Sequence, residues 1–300
     1  MENKFGILSR INDIYKSGGN IIQFLKEING QSKNSLEDIL ISYDFQAGSY
    51  IEFVTKNPDY MNQYSKLIAT EFEKLSVPTS SIMEVGVGEA TTLTNVISKL
   101  TVPIKNASGF DISWSRIHYG NHYLQQKKVS NVNLFTGDLF NIPLGDNSVD
   151  VVYTSHSLEP NGGKEKEALQ ELYRVTNKYM VLLEPAYELG NDEARKRMDS
   201  HGYVKNLVGV AKELGYKVIE NRLFELCANP LNPTQIIIIE KQKDKEVQHS
   251  EFYCPITKTP LEKGDGYYYT SQGLLAYPII KNIPCLLPQN AIVATHLNDF

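Results

Sequence analysis

The 300-residue chain carries 41% hydrophobic and 22% charged residues, and no apolar run approaches the ~20 residues a membrane-spanning helix needs. Lys and Arg number 30 against 35 Asp and Glu, a net charge of −5, so the basic field that gathers phosphate backbones is missing and nucleic acid is disfavoured as a partner. Three cysteines, Cys227, Cys254 and Cys285, are too few for a disulfide framework, and the opening has no basic stretch followed by an apolar one; free thiols in a cytoplasmic protein are expected.

The first eighty or so residues read as helices. Ile11, Ile14 and Tyr15, then Ile21, Ile22, Leu25 and Ile28, recur at helical spacing. Ser35 stands as an N-cap with Asp38 where a capping box places its acidic partner. A third stripe, Tyr64, Leu67, Ile68 and Phe72, is expected to stop at Pro78. From Ser80 onward short apolar runs alternate with amphipathic stretches, the texture of βαβ units. Strands are predicted over 82–85, 107–110, 132–135, 149–153, 180–183, 217–220 and 235–239, and helices over 91–100, 114–128, 164–175 and 192–214, the last broken at His201-Gly202. Pro230 and Pro233 leave no room for a crossover helix, so the final strand returns by a hairpin and runs antiparallel. The charged run 241–246 reads as a linker. The last fifty residues are aromatic and turn-rich, with Gly264-Asp265-Gly266 turning a small hairpin. Four parts follow: a helical cap (1–79), an α/β domain (80–240), a linker (241–249) and a small β-rich module (250–300).

Met83-Glu84-Val85-Gly86-Val87-Gly88-Glu89-Ala90 sits where a strand meets a helix, and its small residues permit a tight turn and close approach of backbone to a ligand. Thr91 occupies the position of the third glycine of a dinucleotide fingerprint, which argues against NAD. Asp111 ends the second predicted strand, where a carboxylate can accept both hydroxyl protons of a ribose. Gly137-Asp138-Leu139 follows the third, where an Asp can accept from an adenine amino group. Ligands of open α/β sheets bind outside the carboxyl ends of the strands, where Glu84, Asp111 and Asp138 all fall. Such a cluster repels phosphates and suits a ligand with a diol, an amino group and positive charge.

These residues, with Val149-Asp150-Val151-Val152-Tyr153, resemble the ordered motifs of class I S-adenosyl-L-methionine-dependent methyltransferases over about residues 40–240. Ala168–Val175, followed by Met180–Leu183 and Glu184-Pro185, is similar to the helix and fifth strand of small-molecule members; Asn177-Lys178 departs from their Pro-Gly-Gly turn. The resemblance implies a seven-stranded, mostly parallel Rossmann-like sheet with an antiparallel last strand. It implies that Gly86 and Gly88 approach the methionine portion, Glu84 its amino group, Asp111 the ribose, Asp138 and Leu139 the adenine, and Ile112 the adenine ring face. Ser155, past the fourth strand, joins this set. The segment Tyr43-Asp44-Phe45-Gln46-Ala47-Gly48-Ser49-Tyr50 resembles the stretch that covers the cofactor in small-molecule methyltransferases. Tyr43 then either meets the sulfonium by a cation–π contact or packs in the core.

Methyl transfer from a sulfonium is an in-line displacement, so alignment dominates and few catalytic residues are needed. His156, beyond the fourth strand, is the candidate base for a hydroxyl acceptor; its other reading is a hydrogen-bonded loop histidine that shapes the pocket. Glu184 either faces the acceptor as a substrate-binding group or fixes the turn before Pro185. Thr154-Ser155-His156-Ser157 replaces the Asn/Asp-Pro-Pro-aromatic turn of enzymes that methylate base or glutamine amino groups, which disfavours those acceptors.

Phe252-Tyr253-Cys254-Pro255-Ile256-Thr257, with Ile283-Pro284-Cys285-Leu286-Leu287, resembles the small zinc-binding activator subunit of tRNA and release-factor methyltransferases over about 250–295. Thr257 stands where a Cys-x-x-Cys pair would complete a metal knuckle, so no metal is expected. The resemblance implies a module that docks on the sheet and stabilises it. The expected activity is methylation of a small molecule, at oxygen rather than nitrogen, a sugar or other biosynthetic intermediate. Two alternatives stand beside it: an RNA or protein methyltransferase presented with substrate by the module, and a non-catalytic cofactor-binding scaffold.

Overall fold

A computed structural model of the chain describes residues 4–30, 35–75, 80–241 and 252–299. Its first part is helical: α1 (Leu8–Lys16), α2 (Ile21–Asn29), α3 (Leu36–Phe45), α4 (Ser49–Lys56) and α5 (Pro58–Lys74). Local chemistry sets the starts. Ser35 and Asp38 form the expected capping box, the Asp38 N–H donating to Ser35 Oγ at 3.2 Å and the Ser35 N–H to Asp38 Oδ2 at 2.9 Å. Pro58 occupies the first turn of α5, where its missing N–H is not needed. The expected stop at Pro78 and the linker after Lys241 lie outside the described residues.

The sheet follows, with strands β1 (Ser81–Val85), β2 (Asn106–Asp111), β3 (Val132–Thr136), β4 (Val149–Ser155), β5 (Thr176–Pro185), β6 (Lys217–Leu223) and β7 (Thr234–Glu240). Between them lie α6 (Thr91–Ile97), α7 (Trp114–Gln126), α8 (Glu165–Val175), α9 (Asp192–His201) and α10 (Leu207–Glu213). The break at His201-Gly202 falls where expected, with Gly202 left-handed at φ 69°. Strand order is β3-β2-β1-β4-β5-β7-β6, with β1 to β5 parallel and β7 antiparallel to both neighbours. This is the expected mostly parallel sheet with its last strand reversed. Alternation along the strands divides the core. Ile82, Ile236 and Ile238 pack with Ile68, Leu93 and Ile117 on one face; Met83, Ile237 and Ile239 pack with Leu169, Leu172 and Leu207 on the other. Asn177 and Lys178 begin β5. Asn177 Nδ2 donates to Asp150 Oδ1 at 3.0 Å and Lys178 Nζ lies 3.2 Å from the same oxygen, an anchor that a Pro-Gly-Gly turn could not supply.

The remaining strands, β8 (Glu262–Lys263), β9 (Tyr267–Thr270), β10 (Leu275–Ile280), β11 (Ile283–Pro284) and β12 (Ile292–Val293), form a small antiparallel sheet. It docks against the outer strand of the large sheet: Cys285 bridges Thr136 in parallel, and the Leu286 N–H donates to the Thr136 carbonyl at 3.1 Å. Phe252 packs edge-on against Phe135, ring centroids 4.9 Å apart. Cys254, Leu261, Tyr277 and Leu286 belong to the same apolar cluster as Met83 and Phe135. Because that core is shared, Leu286→Ala should cost about 2–5 kcal/mol and shift the urea transition detected at Trp114, the single tryptophan, which sits on α7 in the large domain. A Trp114 transition that stays in place would show that the module unfolds on its own.

Candidate active site

The carboxyl ends of β1, β2, β3 and β4 open on a cavity of about 550 Å³, roofed by α3, α4 and α5. Glu84, Gly86, Asp111, Ile112, Asp138, Leu139, Ser155, His156 and Tyr43 all line it. Two of the residues expected at the site do not. Gly88 lies beneath the Tyr50 ring, and Glu184 is fully buried, its Oε1 accepting from the Ser157 and Leu158 N–H groups at 3.1 Å each. Glu184 therefore holds the loop after β4, a role outside both of its expected readings: it is not on the cavity wall, and its partners are Ser157 and Leu158, not the turn before Pro185.

Each acid of the rim is fixed by its surroundings. Tyr153 donates its hydroxyl to Glu84 Oε2 at 2.7 Å, and burial pushes the Glu84 carboxyl up to about 8. Asp111 accepts from the Gly88 N–H at 3.0 Å and the Ser113 N–H at 2.9 Å, and burial raises its carboxyl above the usual range. Asp138 accepts from the Phe140 N–H at 3.1 Å and from Asn141 Nδ2 at 2.8 Å, which shapes the turn after β3. These contacts leave lone pairs on every carboxylate. Gly86 is left-handed at φ 68°, and a Cβ there would come within 2.3 Å of Ser157 Cβ, so the loop admits no side chain at that position.

On the acceptor side, Tyr64 shares a 2.9 Å hydrogen bond with Ser155 Oγ and stacks on Tyr60. His156 Nδ1 lies 3.1 Å from Glu159 Oε2, and Nε2 lies 2.8 Å from Thr234 Oγ1. The neighbouring carboxylates, Glu159 first, hold the imidazole above its ordinary pKa against the opposing effect of burial. Both ring nitrogens are thus engaged within the fold.

Three residues that the sequence did not single out organise the roof. Asp44 accepts from Ser113 Oγ at 2.6 Å and from Ser115 N–H and Oγ at 3.1 and 2.9 Å, tying α3 to the start of α7. Glu89 accepts from the Gly48 and Ile51 N–H groups at 2.8 and 2.7 Å, capping α4 from below. Arg116, 1% exposed, donates from Nε to the Tyr43 carbonyl at 2.9 Å and lies 3.4 Å from Glu89. An acid directly after the glycine loop was the available signal for Glu89, but its partners lie about forty residues away in sequence and leave no local pattern.

Titration at this end of the sheet carries one sign. Glu84 and Glu184 are raised by burial to about 8 and about 7 from a usual 4.5, and His156 is raised from 6.5. Raised carboxyls lose stability as pH climbs from 4.5 to their folded values, and a raised His loses its contribution over the interval above 6.5. Urea stability is therefore expected to be higher near pH 5.5 than near pH 9. Glu84→Gln should flatten the part of the slope that Glu84 supplies, at most ~1.4 kcal/mol per pH unit.

A family described as a methyltransferase domain matches residues 82–178. No curated protein matches the chain. A chain from the complex between the Haloferax volcanii Trm112 methyltransferase activator and a methyltransferase superposes with TM-score 0.51 at 12% identity, covering 68% of this chain and 98% of that one. A Methanococcus maripaludis protein described as an S-adenosyl-L-methionine-dependent methyltransferase gives TM-score 0.49 at 15% identity, with 72% and 100% covered. A SAM-dependent methyltransferase from Aquifex aeolicus gives 0.43 at 16% identity, with 57% and 87% covered. The first of these shows a shared fold. Among the described residues no helix is long and apolar enough to cross a membrane. The match over residues 82–178 is to a methyltransferase domain, and it implies S-adenosyl-L-methionine as the cofactor.

Proposed function

We propose that the chain methylates a hydroxyl oxygen of a small molecule, a sugar or another biosynthetic intermediate, with S-adenosyl-L-methionine as donor. The observation that carries this reading is one cavity that joins the acidic strand ends to an aromatic and amide-lined wall beneath a helical roof. The residues present suit the cofactor. Asp111 would take the ribose hydroxyls, Asp138 and Leu139 the adenine with Ile112 against its face, and Glu84, Gly86, Ser155 and Tyr43 the methionine and sulfonium region. When bound, the cofactor supplies an electrophilic methyl group on a positively charged sulfur. The chain's own task is alignment: Tyr60 and Tyr64 offer ring faces, and Asn161, Asn229 and Asn232 offer amides to a hydroxylated acceptor. Glu159 and His156 form a carboxylate–imidazole pair on that wall, and we assign the acceptor's proton to His156 Nε2, the acceptor hydroxyl taking the place of Thr234 Oγ1 there while Nδ1 stays on Glu159.

The enclosing roof supports a small acceptor over a macromolecular one. Arg116 is the single Lys or Arg among the described residues that line the cavity, and it is buried, so the wall itself offers little to a phosphate backbone. In the same reading residues 1–79 are the cap, 80–240 the catalytic domain, 241–249 a linker and 250–300 a built-in counterpart of the activator subunit. Its seat on the edge of β3 supports that assignment. Free Cys227, Cys254 and Cys285 suit a reducing, cytoplasmic setting.

The test is incubation of purified protein and methyl-labelled cofactor with a small-metabolite extract. Label is expected in a soluble methyl ether. Label in RNA or protein would establish the macromolecular alternative, and cofactor binding without transfer the scaffold. His156→Ala should remove the alkaline-rising limb of the pH–rate profile. A profile of unchanged shape would leave His156 as a shaping residue of the loop.

A further inference from the structure

Arg116 has a donor that the fold does not use. Its guanidinium lies over the Tyr50 ring at 4.2 Å and the Tyr43 ring at 5.0 Å. Nε serves the Tyr43 carbonyl and Nη1 reaches Glu89 at the long distance of 3.4 Å. Nη2 is sealed from solvent and has no hydrogen-bond partner, in a side chain only 1% exposed. A buried charged donor left unsatisfied is costly and is rarely kept without a reason. Arg116 also lines the cavity, where every other ionised group is acidic or a histidine.

Charge matching gives the reason. The cofactor carries three charged groups: a sulfonium, an ammonium and a carboxylate. The acidic rim suits the first two and repels the third. We propose that Arg116 is the carboxylate receptor of the site, its Nη2 donating to one carboxylate oxygen, an inference that rests on S-adenosyl-L-methionine being the ligand. Nη2 is screened, so the incoming group must displace part of the wall. Tyr50, 43% exposed and resting on Gly88, is the side chain placed to turn aside. Arg116 in this role selects amino-acid-bearing nucleosides over those that lack the carboxylate.

Calorimetric titration of the full chain with S-adenosyl-L-methionine and with its decarboxylated form tests this directly, because the two differ only in that group. The wild type should prefer the carboxylated form by about 10- to 100-fold, the range of one charge-assisted hydrogen bond. Arg116→Met should lose that factor for S-adenosyl-L-methionine while leaving the decarboxylated form within about threefold, and Arg116→Lys should lie between. Equal affinity of the wild type for both forms would overturn the assignment, as would equal weakening of both by Arg116→Met, which marks a purely structural role. Should Arg116→Met fail to fold, the wild-type comparison and Arg116→Lys decide. Binding of neither form by the wild type would remove the cofactor reading itself, and the proposal with it.

Discussion

Asp111→Ala is expected to weaken S-adenosyl-L-methionine binding by about 10²- to 10³-fold, the equivalent of one to two hydrogen bonds from ribose hydroxyls to a charged acceptor. The side chain sits at the end of β2 with its two oxygens oriented by the Gly88 and Ser113 amides. A ribose meeting it finds acceptors already in place and loses little freedom on binding. Asp111→Asn should retain part of the affinity, because its carbonyl keeps one acceptor while its amide opposes a second hydroxyl donor. Calorimetry on both variants, with thermal melts to confirm that the glycine loop remains folded, checks the order of effects. Affinity untouched by Asp111→Ala would mean that the diol binds elsewhere.

The largest loss of stability should come from Glu89. This carboxylate is 0% exposed and caps α4 through amides at positions 48 and 51 while facing the buried Arg116. Removing it leaves a buried cation uncompensated and orphans helix N–H groups. Glu89→Ala is therefore expected to cost about 3–5 kcal/mol in urea unfolding. Glu89→Gln keeps acceptors for the amides and loses only the charge, so its penalty should be smaller. Equal penalties for the two variants would locate the energy in the ion pair alone.

The sheet was legible because its signals are local. Ile236 to Ile239 are apolar on both faces, as a central strand demands, and Pro233 before them excludes a crossover. The rim acids were legible for the same reason, since each falls at or just past the carboxyl end of a strand. Glu184 and Gly88 were not, because whether a strand-end residue faces the cavity or the loop behind it depends on a partner: Ser157 and Leu158 for one, the Tyr50 ring for the other. The roof contacts of Asp44, Glu89 and Arg116 are wholly non-local. Nothing in Asp111-Ile112-Ser113-Trp114-Ser115-Arg116 shows that its arginine will meet two tyrosines from a helical hairpin some seventy residues earlier.

Glu84 couples this pocket to the medium. Near neutral pH a carboxyl that titrates at about 8 is mostly uncharged, and any cation lodged beside it draws it into the ionised form. With the cofactor's ammonium at Glu84, uptake would then expel hydrogen ions into the buffer, and departure of the spent cofactor, which carries the ammonium away with it, would take them back. Occupancy accordingly tightens under mildly alkaline conditions, and each cycle of donor uptake and spent-donor release becomes a small, reversible acid–base exchange with the surrounding solution.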